Sequence, residues 1–215
     1  MPEEIPYSGR SARRPDSLKE RIAEIFNQSI ELQRTCLREN LSALEEVAHG
    51  LAEVLERGNK LLLFGNGGSA ADAQHIAAEF VNKYLIDRPP LAAIALTTDT
   101  SILTAIANDV EYEAVFDKQI RAIGKAGDAA IGISTSGTSR NVVRGLETAR
   151  SLGLVTIGIG GPPNARMGDF CDHYLAVAGG ATPRIQEAHQ VIGHVIVELV
   201  DELLFGARTG ARSAL

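Results

Sequence analysis

The chain has no tryptophan, only four tyrosines and two cysteines among its 215 residues. Each shortage excludes something. Aromatic side chains are too few to interleave with a basic stripe, and the formal net charge of −6 places acidic groups in excess. Nucleic-acid binding through a basic surface is therefore not expected. Cys36 and Cys171 lie far apart and form no CxxC pair. They argue against a cysteine zinc site and fit two free thiols in a reducing cytoplasm. No apolar run approaches the ~20 residues of a membrane span. The N-terminal arm has no apolar middle of the signal-peptide kind, so a cytoplasmic protein without membrane contact is expected. The one basic cluster, Arg10, Arg13 and Arg14, falls in that Pro- and Ser-bearing arm.

Glycine and hydroxyl groups, by contrast, are concentrated in two loops. Gly65-Asn66-Gly67-Gly68-Ser69-Ala70 follows the apolar run Leu61–Phe64, and Ser134-Thr135-Ser136-Gly137-Thr138-Ser139 follows Ala129–Ile133. Each leads into a helical pattern. Glycines let backbone amides approach an anion, hydroxyls add donors, and a helix start adds positive dipole. No Gly-Lys-Ser/Thr follows, so a nucleotide triphosphate suits the loops less well than a sugar phosphate. Gly65, Gly67 and Ala70 also match G-x-G-x-x-A. The acidic residue that a dinucleotide site wants at the end of the second strand is replaced by Leu96-Thr97-Thr98, which makes a nicotinamide enzyme the lesser reading.

Residues 1–16 read as a flexible arm and 17–58 as a helical segment ended by Gly58. Leu37, Leu41, Leu44, Ala48, Leu51 and Leu55 form one apolar stripe in it. The segment looks too long for one domain-covering helix, so two helices or one bent helix are expected. The stripe covers either its own domain or another subunit. Apolar runs at 61–64, 92–96, 129–133, 155–159 and 173–177 alternate with helical patterns. Such an alternation predicts an α/β fold: a single-domain parallel sheet flanked by helices over residues 59–205. The last helix should have Thr182 as N-cap and Pro183 at its first position, and end near Phe205. The tail 206–215 reads as loose.

His75 and Glu79, four residues apart just past the first loop, share one helix face. They can supply two metal ligands, or a ligand and a base; an ordinary surface pair has the same spacing. Gln186, Gln190, His194 and Glu198 form a polar row on an apolar helix. The row either meets partners or faces solvent. Gln186 and His194 are roughly 12 Å apart along a regular helix. A compact ion held by both needs a distorted helix start or two subunits. His189, on the apolar stripe, reads as structural.

Taken in order, these residues resemble the sedoheptulose-7-phosphate (phosphoheptose) isomerases of the sugar-isomerase, or SIS, superfamily. The marks are Gly65–Ser69, His75 with Glu79, Ala107-Asn108-Asp109, Gly132–Gly137, and Arg184–Glu187 followed by His194. The resemblance implies conversion of sedoheptulose 7-phosphate to a glycero-manno-heptose 7-phosphate for bacterial surface glycans, in homotetramers with active sites at subunit interfaces. By motif, Glu79 and His194 would be the acid/base pair. Asn66, Gly67, Gly68, Ser69, Asn108, Asp109, Ser134, Thr135, Ser136, Ser139 and Gln186 would hold substrate. His75, Glu79, Gln186 and His194 would bind zinc. Two features depart from the family's pattern: Pro183 where an acidic residue is common, and Gly160-Gly161-Pro162-Pro163 where Lys-Asp-Gly-Gly is common. A non-catalytic SIS scaffold bound to a protein partner, or an isomerase of a smaller sugar phosphate, are the alternatives.

Overall fold

A computed structural model describes residues 17–209, and the side chains of 17–206. The expected arm lies outside the described residues. Helix α1 runs unbroken from Leu18 to Glu56, where two helices or a bend were expected. No proline or mid-helix glycine pair interrupts it, and its start is fixed by a capping box between Ser17 and Glu20. It stops at Arg57, with Gly58 at φ 78° beyond it. The five apolar runs all become strands: β1 (Leu61–Gly65), β2 (Ala93–Ala95), β3 (Ala129–Ser134), β4 (Val155–Gly160) and β5 (His173–Ala176). They pair in parallel in the order β2-β1-β3-β4-β5.

Alternate strand residues point to opposite faces. Leu61, Leu63, Ile131, Ile133 and Ile157 pack beneath α1, α2 (Gly68–Val81) and α6 (Thr182–Thr209). Leu62, Phe64 and Ala130 pack beneath α4 (Val115–Ile123) and α5 (Arg140–Ser151). Helix α3 (Thr100–Asp109) lies between β2 and α4 in the chain, with Asp99 as its N-cap.

Helix α6 departs from expectation at both ends. Thr182 is its first residue rather than its cap, because the Ala181 carbonyl already accepts from Ile185 N at 3.2 Å. At the other end it continues through Gly206 to Thr209. The expected tail is thus helical to 209, and the remainder lies outside the described residues. Among the described residues no helix is long and apolar enough to cross a membrane.

The strand order places β1 and β3 side by side while their outgoing connections leave in opposite directions. Gly65 pairs with Ile133 at their carboxyl ends. That is the switch point at which open α/β sheets bind ligands, and both loops emerge there.

Candidate active site

The second loop is a cluster of hydroxyls. Ser134 Oγ lies 3.0 Å from Ser139 Oγ and 3.3 Å from Ser136 Oγ, and Thr138 Oγ1 donates to Ser136 Oγ at 3.1 Å. Gly137, at φ 64°, turns the chain and sends its N–H to Ser134 Oγ at 3.2 Å. The departure at 160–163 is explained behind this loop. A Cβ on Gly161 would lie 2.1 Å from the Thr135 carbonyl, and one on Gly160 would lie 2.1 Å from the Tyr174 hydroxyl. Tyr174 in turn donates to the Pro162 carbonyl at 2.9 Å, so the two glycines are the floor on which the loop rests. Burial pushes the Tyr174 phenol up to about 12, which keeps it a neutral donor.

The two loops are laced together. Asn66 and Asn141 exchange side-chain hydrogen bonds at 2.8 and 2.9 Å, and Tyr112 donates its hydroxyl to Asn66 Oδ1 at 2.9 Å. Asn141 and Tyr112, like Thr138, were not singled out from the sequence. Asn141 is one residue past the start of α5, and that position beside the hydroxyl loop was the available signal. Gly67, at φ 57°, caps α2, and Ser69 is buried in its first turn. Asn108 and Asp109 are exposed at the end of α3 and bond to each other at 2.8 Å. Among the described residues no hydrogen bond ties them to either loop; Tyr112, three residues past Asp109, makes that connection instead.

Helices α2 and α6 run side by side in the same direction, and their polar residues meet in register. Gln186 lies over Gly68, where an added Cβ would sit 2.1 Å from its Nε2. Gln190 donates to Asp72 Oδ1 at 3.1 Å. His194 Nε2 lies 2.8 Å from His75 Nε2. Glu79 Oε1 is 3.8 Å from that same His75 nitrogen, so the sequence pair does share a face. Of the polar row, Gln190 and Glu198 are exposed, and Gln190 still reaches Asp72 on α2. Tyr84 stacks on the His194 ring with centroids 5.4 Å apart. His189 is fully buried and bonds the Gly160 carbonyl at 3.0 Å; burial pushes its imidazole down, so it stays neutral and structural.

Two imidazole nitrogens and a nearby carboxylate are donors of the kind zinc takes, and in type and proximity they suit that ion. They are not a finished cage: among the described residues no three His, Cys, Asp or Glu side chains form one. Gln186 is held over Gly68, eight residues before His194 on α6. A single copy of the helix therefore does not bring Gln186 to the other three, as the helical rise requires. Both cysteines are free, and burial pushes the Cys171 thiol up to about 12.

A sequence model of the SIS domain matches residues 24–161. Phosphoheptose isomerases of Desulfovibrio desulfuricans and Aneurinibacillus thermoaerophilus are each 50% identical to the chain, covering 88% and 86% of it and 90% and 94% of their own lengths. The solved phosphoheptose isomerase structures from Neisseria gonorrhoeae and Francisella tularensis match with TM-scores of 0.81 and 0.83 at 39% and 31% identity. Each match covers 86% of this chain, and 100% and 99% of the respective structure.

Proposed function

Because the chain belongs to the phosphoheptose isomerase family of SIS-domain proteins, we propose that it converts sedoheptulose 7-phosphate into D-glycero-D-manno-heptose 7-phosphate through an enediol, for bacterial heptose and surface-glycan synthesis. It is an aldose–ketose isomerase, since its relatives are phosphoheptose isomerases. The observation that carries the reading is the meeting of Glu79, His75 and His194 between α2 and α6, on the helix that the first anion loop begins.

The hydroxyls of Ser134, Ser136, Thr138 and Ser139 take the phosphate. Asn66, held by Asn141 and Tyr112, faces the sugar. Glu79 accepts the proton from the carbon beside the carbonyl and delivers it to the neighbouring carbon. The electron pair left by that proton forms the enediol double bond, and it returns to carbon when the proton is delivered. His194 exchanges protons with the hydroxyl and carbonyl oxygens, a task suited to an imidazole. His75, Glu79 and His194 would hold zinc together with a Gln186, and the ion when bound would polarise the substrate oxygens.

The proposed homotetramer explains both the displaced Gln186 and an apolar groove of about 440 Å³ between α1 and α6. Leu37 and Leu41 line it and are 57% and 63% exposed, although they belong to the stripe whose other members are buried. The same side of α1 leaves Ile22, Phe26 and Ile30 exposed. A subunit packed there would cover these apolar side chains.

Incubation with sedoheptulose 7-phosphate, following aldose with and without chelator, tests the function. Aldose formation that chelator slows and zinc restores is expected. Turnover of only a five- or six-carbon sugar phosphate would move the substrate to that sugar. A protein inactive on all of them yet holding a protein partner would favour the scaffold.

A further inference from the structure

Arg88 belongs to none of the motifs read from the sequence and lies in the loop between α2 and β2, yet its side chain is only 1% exposed. Its guanidinium spends its donors on two helices. Nε donates to Asp201 Oδ1 on α6 at 2.6 Å. One terminal nitrogen donates to the carbonyls of Phe80 at 2.7 Å and Pro89 at 3.2 Å, and the other to the carbonyl of Glu79 at 2.9 Å. Glu79 and Phe80 stand in the last turn of α2, where carbonyls have no partner further along the helix. A cation there also answers the negative end of the helix dipole.

The position of this bridge matters. Asp201 follows His194 by seven residues, two helical turns or roughly 10 Å. On the other side of His194, Gln190 bonds Asp72 of α2 at 3.1 Å. The His75–His194 contact therefore lies between two polar cross-links joining the same pair of helices. Of the two, Arg88–Asp201 is the charged one, and it grips the backbone of Glu79 itself.

We propose that Arg88 is a positioning residue for the isomerase reaction: by joining the Glu79 and Phe80 carbonyls to Asp201, it sets the separation of Glu79 on α2 from His194 on α6. The inference rests on the isomerase reading above. A planar fork with five donors can serve three carbonyls and a carboxylate at fixed angles, which a lysine ammonium with three donors cannot. Displacing a reacting group by ~1 Å can cost ~10²-fold in rate, so a loosened bridge should act on kcat.

The test is kcat, KM and thermal midpoint for R88M/D201L, R88K and D201N on sedoheptulose 7-phosphate. The apolar pair avoids a lone buried charge, which would confuse misfolding with misalignment. In the folded double variant, kcat should fall ~10-fold or more while KM stays near the wild-type value. R88K should recover part of the loss. If the double variant does not fold, R88K carries the same criterion, since it keeps a cation beside Asp201 and gives up the forked bonds to the α2 carbonyls. Wild-type kcat in a folded variant, or a loss confined to KM, overturns the inference. A wild-type protein inactive on the substrate would instead overturn the isomerase reading beneath it.

Discussion

His75 and His194 face each other Nε2 to Nε2 at 2.8 Å, across 119 residues of sequence. Which of the two nitrogens donates depends on the tautomers of the rings. The contact is the meeting point of two helices that begin differently, α2 from a glycine loop at the sheet's switch point and α6 after the last strand. Neither helix alone could assemble an imidazole pair beside Glu79.

Gly68 is the contact point for Gln186. A Cβ there would lie 2.1 Å from Gln186 Nε2, the far end of a flexible side chain. Gly68→Ala should therefore leave the fold intact and swing Gln186 aside. If Gln186 contacts substrate, KM should rise about fivefold, the worth of one hydrogen bond, with the thermal midpoint little changed. Steady-state kinetics check this; an unchanged KM would remove Gln186 from the substrate contacts.

Asp128 works at the opposite end of the sheet. Its carboxylate accepts from Lys60 Nζ at 2.5 Å and from the backbone N–H groups of Lys60 and Lys125 at 3.1 and 2.8 Å. Burial alone would raise this carboxyl, but the Lys60 ammonium and the two N–H groups override it and hold it below the usual range. A carboxyl depressed on folding stabilises the protein above its unfolded pKa, and that contribution is lost as pH falls through the folded value. Asp128→Asn should cost about 2 kcal/mol at neutral pH, with the gap to wild type closing below about pH 4. Urea denaturation at several pH values reads it. Activity of the folded variant should be unchanged, because the site lies at the carboxyl ends of the strands and Asp128 just before the start of β3.

Leu41 is 63% exposed in the groove between α1 and α6. In an isolated chain Leu41→Glu would touch little. In an assembly packed on that groove it would bury a charge without a partner, at a cost of several kcal/mol. Sedimentation should give four chains for the wild type and a smaller species for L41E, with loss of activity if the site needs a second protomer. A variant that keeps the wild-type mass would place the interface elsewhere.

Much of the fold is written in local pattern. The three inner strands, buried on both faces, announce themselves as apolar runs, and the partly exposed edge strands β2 and β5 are apolar enough to read the same way. The hydroxyl loop and the His75/Glu79 spacing were legible too, because their chemistry lies within a few residues. The errors fall where a tertiary partner decides. Helix α1 stays whole because α6 and β5 pack along it, and Gly206 does not end α6. Only α2 shows that Gln186, Gln190 and His194 have neighbours on another helix. Asn141, Tyr112 and Arg88 were invisible for the same reason, since each acts on a residue brought near by folding.

The central claim is that the Glu79 carboxylate carries the carbon proton, and isomerisation of sedoheptulose 7-phosphate in deuterated water tests it most directly. Wild-type protein should introduce deuterium at the reacting carbon of recovered sugar phosphate. Glu79→Gln, which keeps size and hydrogen bonding but cannot take up a proton, should abolish that exchange while the sugar phosphate still binds. Undiminished exchange and turnover by a folded E79Q protein would contradict the account.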